Sequence, residues 1–341
     1  MKILITGGCG FVGTNLIPSL LDLGHQVIVF DNLAHGSYIP EVHDRVRFFK
    51  CDIRDREATH LHIGNLKPDI TFHFAGLVSI YDCHRNPSDA VENNIVGSVN
   101  VFDALLAAGC PRVVFSETSA VYENCEILQD GYHEGQSDPT TVYATTKAAV
   151  ALLAESYART KGLRYTALRY FNIAGPIQDY KRTVPPLFAG FAIRMMGGNN
   201  PIIFGDGNRR RDFIHVDDVN EFHVRCLTDD RTIGQTYNLG RGESCSLFEI
   251  GDAVLAVLKS RGYSLPLPNE VEYTYMPEIN GEAFEIFADI RKATSLGWAP
   301  KKSIATALDD TIAYLEKEIA QGAIDPLTYM VDLNTDSVKI G

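Results

Sequence analysis

Short apolar runs alternate with amphipathic segments of helix length through the first half of the chain. The runs KILIT (2–6), QVIVF (26–30), VRFFK (46–50), ITFHF (70–74), RVVFS (112–116) and RYTALR (164–169) have strand length. Those at 2–6, 26–30, 70–74 and 112–116 are apolar on both faces, as central strands of a parallel sheet must be when helices cover both sides. Helical periodicity near 11–23, 88–108 and 141–161 fills the gaps. This βαβ alternation predicts a doubly wound α/β domain over residues 1–175. Past 175 the rhythm breaks at GPIQDYKRTVPP, and helical stretches at 187–197, 246–260 and 303–318 alternate with short strands and turns. The pattern predicts a smaller mixed α/β lobe over 176–325, partly interleaved with the first. The aperiodic residues 326–341 read as a flexible tail.

A chain of 341 residues that is 45% hydrophobic has ample core for this plan. The net charge of −12 argues against a general nucleic-acid binder, because neutralising phosphates needs a basic surface. It leaves room for a small anionic ligand held by a few local arginines. No apolar run reaches the length of a membrane span, and MKILITGG reads as a first strand rather than a signal peptide. The seven cysteines are scattered, odd in number and free of C-x-x-C pairs, so neither a disulfide framework nor a zinc site is expected. Reduced thiols fit a cytoplasmic protein. The ten histidines form no ligand-spaced cluster with the cysteines, so no metal is expected.

Candidate chemistry begins at ITGGCGFVGTNL, with Gly7, Gly10 and Gly13 around Phe11 and Val12. A glycine-rich turn from strand to helix lets backbone N–H groups approach a pyrophosphate, which the helix N-terminus favours electrostatically. Asp31, beside Asn32, ends the second strand, where a carboxylate accepts from ribose hydroxyls and repels a 2′-phosphate. A Rossmann-like domain binding NAD rather than NADP is expected. Asp52 and Ile53 fall near the adenine, and Phe74-Ala75-Gly76 ends the fourth strand with little bulk to block a cofactor. His73 reads as a packed strand histidine.

VYATTK places Tyr143 four residues before Lys147. On a helix the two lie one turn apart, either as a surface pair or as a phenol whose pKa the ammonium lowers from about 10. Thr118 and Ser119 fall just past the end of RVVFS, the sheet edge where open α/β folds bind ligands. A hydroxyl held there could lose its proton to Tyr143 while its carbon loses hydride to NAD.

These motifs, in order, resemble the extended short-chain dehydrogenase/reductase family, in its nucleotide-sugar epimerase and dehydratase branch. The resemblance rests on TGGCGFVG, CDIRD, HFAG, NNIVGSVN, FSETSAVY, YATTK, RYFNIAGP and GDGNRRRDFIHVDD, between residue 2 and about 220, and more weakly on ADIRKATSLGW, to 298. It implies that Tyr143 is the acid/base, that Lys147 partners it and holds the nicotinamide ribose, and that Thr118 hydrogen-bonds the reacting sugar hydroxyl. It places Asn94, Ser116 and Tyr170 on the cofactor side. It places Asn172 and Arg211 on a substrate diphosphate, with Ser79, Ser119 and Phe204 also on the substrate. It further implies a nucleotide-sugar partner and a homodimer joined through helices near 88–108 and 141–161. Val91, Ile95, Val99 and Leu106 on the first, and Val150 and Leu153 on the second, extend round more than one face.

Dehydratases and decarboxylases of the branch typically carry a glutamate two residues after the catalytic threonine. Here that residue is Ala120, and Glu117 on an extended chain points to the opposite side. TSAVY instead resembles the 4-epimerases, so a nucleotide-sugar 4-epimerase is expected. The alternatives are a reductase, dehydrogenase or dehydratase of the same branch and, in a different class, a non-catalytic dinucleotide-binding protein. Two departures stand out. Ile279 and Glu282 occupy the places of the usual diphosphate arginine and its acid, leaving either Arg182, Arg209 or Arg241 as replacements or a donor other than a UDP-sugar, with Ile286 expected to border the sugar pocket. Glu123 stands where glycine is common, and no role for it is evident from sequence.

Overall fold

Three apolar residues in succession, Ile3, Leu4 and Ile5, are wholly buried in β1 (Lys2–Thr6). A strand covered on both faces requires such a run. A computed structural model describes residues 1–36, 39–182, 184–265, 270–278 and 283–330. In it β1 pairs with β2 (Gln26–Asp31) and β4 (Ile70–His73). β3 (Arg47–Lys50), β5 (Arg112–Thr118), β6 (Arg164–Tyr170) and β7 (Gln235–Leu239) complete a parallel sheet of order β7-β6-β5-β4-β1-β2-β3. The expected doubly wound parallel sheet is therefore present. Strand order reverses between β1 and β4, so their C-terminal ends open a crevice, the usual ligand position in such sheets.

The helices include α1 (Phe11–Asp22), α2 (Arg56–Leu66), α3 (Gly97–Ala107), α4 (Val142–Lys161), α5 (Leu187–Met196), α6 (Val216–Arg225), α7 (Leu247–Ser260) and α8 (Ile304–Ala320). Among the elements that escape the hydrophobic pattern, three are instructive. α2 buries only Thr59, Ile63 and Leu66, too thin a stripe to register. α6 interrupts its apolar face with buried Asp218, Asn220 and His223. β7, QTYNL, reads as polar although Asn238 is wholly buried. The stretch at 88–108 is not one α-helix: Pro87–Ala90 is followed by a π-helical turn, Val91–Val96, and then α3.

A second core gathers Phe188, Phe191 and Ile193 of α5, Val254 and Leu258 of α7, and Leu308, Ile312 and Leu315 of α8. The core beneath the large sheet also takes Ile214, Phe222, Tyr237 and Trp298, so the later chain returns to the first layer. Val150, expected on an open face, is core instead, whereas Leu152, at 68% exposed, and Val91 and Val96 are exposed apolar side chains of these helical stretches. The expected flexible tail begins pinned. Arg194 of α5 donates to the carbonyls of Tyr329 and Met330 at 3.1 and 3.0 Å, and the Tyr329 hydroxyl donates to the Tyr180 carbonyl at 2.6 Å. Residues 331–341 lie outside the described residues.

Candidate active site

A cleft of about 620 Å³ runs across the C-terminal ends of the central strands and continues to Phe204 and Met330. One wall is the glycine turn. Gly7 holds φ +70°, and a Cβ there would stand 2.6 Å from the Ala75 amide nitrogen, so only glycine lets β1 and β4 approach this closely. A Cβ on Gly13 would meet the Gly8 Cα at 2.7 Å, which fixes the start of α1 against the turn. The resulting bare backbone at a helix N-terminus fits the pyrophosphate of a dinucleotide.

Asp31 closes β2, and its two carboxylate oxygens accept from the Cys9 and Leu33 amides at 3.0 and 2.8 Å. Their remaining lone pairs suit ribose hydroxyls. Asp52 accepts from Asn32 at 3.0 Å and from Arg54, whose hydrogen bonds hold its carboxyl down at about 2. The described wall takes in Gly7, Gly10, Phe11, Val12, Gly13, Asp31, Asn32, Asp52, Ile53, Phe74, Ala75, Gly76, Ser116 and Tyr170 of the expected cofactor residues. Asn94 stands behind it. Its side chain accepts from the Leu77 amide at 2.7 Å and donates to the Leu77 carbonyl and the Thr146 hydroxyl, bracing the loop instead of lining the cleft. His73 is a packed histidine between Thr6 and Ser98, and burial depresses it to about 3.

Farther along, Thr118, Tyr143 and Lys147 converge. Thr118 is the last residue of β5 and not, as the sequence suggested, just beyond it. Its hydroxyl accepts from the Ala120 amide at 3.2 Å and lines the same wall as the Tyr143 phenol. Tyr143 sits in the first turn of α4, capped by Thr141, and packs against Leu77, Cys83 and Ala90. Lys147, one turn on and 7% exposed, donates to Ser116 at 3.1 Å. Burial pulls its ammonium down to about 8, against the attraction of Glu117. The expected lowering of the phenol by Lys147 is overturned. Burial pushes Tyr143 above its ordinary value, opposed by the nearby Thr118 hydroxyl and the charge of Arg182.

Ser79, Asn172, Phe204 and Arg211 also line the cleft, whereas Ser119 is buried off it. Ser79 caps a short helix by accepting from Asp82 at 3.1 Å, and the Asn172 amide donates to the Asp212 carbonyl at 3.0 Å. Arg211 donates to the Arg210 and Phe284 carbonyls. Of the replacement arginines, Arg182 and Arg209 reach the wall. Arg241 turns away to Glu243 and the Lys302 carbonyl. Ile279 and Glu282 lie outside the described residues. Ile286 is removed from the pocket and packs with Tyr122, Tyr132 and Phe171. Glu117 does point away from the reacting groups, into a buried pair with Arg169 at 2.7 Å. Asn93, Gln178 and Arg194 line the cleft without any signal in the sequence, since loop course and helix packing bring them there.

A dinucleotide cradle that opens onto a hydroxyl, a phenol and an ammonium defines a nicotinamide-dependent enzyme acting on an alcohol. Residues 3–240 match the model of the NAD-dependent epimerase/dehydratase family, and the chain belongs to that family. Its cofactor is NAD. It is 31% identical to the UDP-glucose 4-epimerase of Halalkalibacterium halodurans, over 88% of this chain and 91% of that protein. Among solved structures it resembles the UDP-glucose 4-epimerase of Thermotoga maritima with UDP-glucose (TM-score 0.86, 29% identity, 94% of this chain and 100% of that one). It also resembles the UDP-glucose 4-epimerase of Thermus thermophilus in complex with NAD (TM-score 0.83, 27% identity, 93% and 99%).

Proposed function

We propose that the protein interconverts the C4 epimers of a UDP-linked sugar with tightly held NAD. The observation that carries this reading is the convergence of Thr118, Tyr143 and buried Lys147 on one cleft wall, with the neighbouring Glu117 committed to Arg169. The backbone around Gly7, Gly10 and Gly13 would hold the pyrophosphate, Asp31 the adenosine ribose, and Lys147 the nicotinamide ribose. NAD, when bound, would supply the acceptor and the donor for the C4 hydride. Thr118 orients the C4 hydroxyl, and Tyr143 accepts its proton and later gives it back. The Thr118 hydroxyl and the charge of Arg182 act against the burial that raises the phenol, and so favour the phenolate that accepts the proton. The 4-ketose is planar at C4, so a turn of the sugar within the cleft inverts the centre. Asn172 and Arg211 hold the diphosphate, and Arg182 or Arg209 supplies the further cation.

The protein acts as a cytoplasmic homodimer. The exposed Val91, Val96 and Leu152 support the pairing, and seven unpaired cysteines support a reducing compartment.

The test is incubation with UDP-, dTDP-, GDP- and CDP-sugars without added nicotinamide, followed by NMR of the products. A C4-inverted UDP-sugar of unchanged mass is expected. Loss of water would make the enzyme a dehydratase, and turnover only with stoichiometric nicotinamide would make it a net redox enzyme. Tyr143→Phe should keep its NAD and lose about 10²–10⁴-fold in kcat.

A further inference from the structure

Tyr143 and Thr118 belong to elements joined by a long loop, yet both line one wall of the cleft. One carboxylate spans the gap. Glu123 follows the 3-10 turn Ser119–Tyr122, directly after Thr118. Its Oε2 accepts from the Thr140 amide at 2.9 Å, the Thr140 hydroxyl at 2.8 Å and the Thr141 amide at 2.8 Å. Its Oε1 accepts from the Thr141 hydroxyl at 2.9 Å. The Thr141 oxygen in turn caps α4 by accepting from the Ala144 amide at 3.2 Å. Four hydrogen bonds to one charged group thus close the loop across 18 residues and set the first turn of the helix that carries Tyr143. The carboxylate also lies at the end of α4 where negative charge is favoured.

We propose that Glu123 is a positioning residue, which registers the Tyr143 phenol against Thr118 for proton transfer. The inference rests on the epimerase reading. Glu123 also bears on the proton itself. Thr118, Arg182, Cys83 and Glu123 face the phenol, and of these Cys83 and Glu123 raise its pKa while Thr118 and Arg182 lower it.

The test is Glu123→Gln in the full NAD-bound chain. The amide keeps one acceptor and places an N–H against donors, so kcat should fall about tenfold or more, with KM and bound NAD unchanged. Loss of the negative charge should move the Tyr143 titration to lower pH. That titration is read as the absorbance difference between each variant and the same variant carrying Tyr143→Phe. It needs no substrate, so it stands even if no UDP-sugar is turned over. Glu123→Asp keeps the charge, and should restore the titration and part of kcat. Thr140→Val removes one of the four bonds and should cost about threefold in kcat, which decides the matter if Glu123→Gln does not fold. A Glu123→Gln kcat within about twofold of the unaltered protein overturns the proposal. So does a kcat loss with an unmoved titration and a lowered Tm, the mark of a general fold defect.

Discussion

Replacing Lys147 by methionine should stabilise the fold while abolishing turnover. The ammonium is 7% exposed, has Ser116 as its hydrogen-bond acceptor, and is held at about 8 against an ordinary 10.5. That displacement, net of the attraction of Glu117, corresponds to roughly 3 kcal/mol of destabilisation at neutral pH. Loss of the Ser116 bond takes back about 1 kcal/mol, and methionine fills similar volume, so Lys147→Met should gain about 2 kcal/mol. The sign with pH follows. Below pH 8 the lysine is charged in both folded and unfolded chains, and the full cost applies. Between 8 and 10.5 the folded protein has released its proton and the unfolded chain has not, so the original protein regains stability. Above that range neither is charged. Calorimetry of both proteins after removal of nicotinamide, from pH 7 to pH 10.5, should therefore show a higher Tm for the variant at pH 7 and a gap that narrows as pH rises. The comparison between variants cancels the buried tyrosines and cysteines, whose burial raises them above their ordinary values and so also makes stability pH-dependent. A variant less stable at pH 7, or a gap that does not narrow, would refute the reasoning that burial depresses this ammonium.

Asp31→Ala should weaken NAD binding by about tenfold or more and relax the discrimination against NADP, measured by titration of both nucleotides. Unchanged preference would remove Asp31 from the ribose site. Gly7→Ala forces a side chain into the left-handed region and to within 2.6 Å of the Ala75 amide. It should cost about 1–2 kcal/mol for the backbone and about 1–3 kcal/mol for overpacking, read from urea unfolding together with loss of bound NAD.

Where a requirement is local, the chain order alone carries it. Continuous apolar runs specify strands buried on both faces, and the spacing of Gly7, Gly10 and Gly13 specifies a turn no other residue can make as closely. The helical turn between Tyr143 and Lys147, and Thr118 near a strand end, were legible for the same reason, whereas their meeting in one cleft was implied only by the family resemblance. Tertiary structure decided the rest, because partners distant in sequence set burial, charge and direction. β7 reads as polar until it lies against β6, and Arg241 faces Glu243 while Arg182 and Arg209 reach the cleft. Asn94 braces Leu77 from behind the wall, and the tail is pinned by Arg194. The direction of the Tyr143 shift depends on its packing against Leu77, Cys83 and Ala90, which the four-residue spacing to Lys147 does not contain. Glu123 acquires its four donors only when the chain folds back at Thr140 and Thr141, for a carboxylate's role is set by what surrounds it.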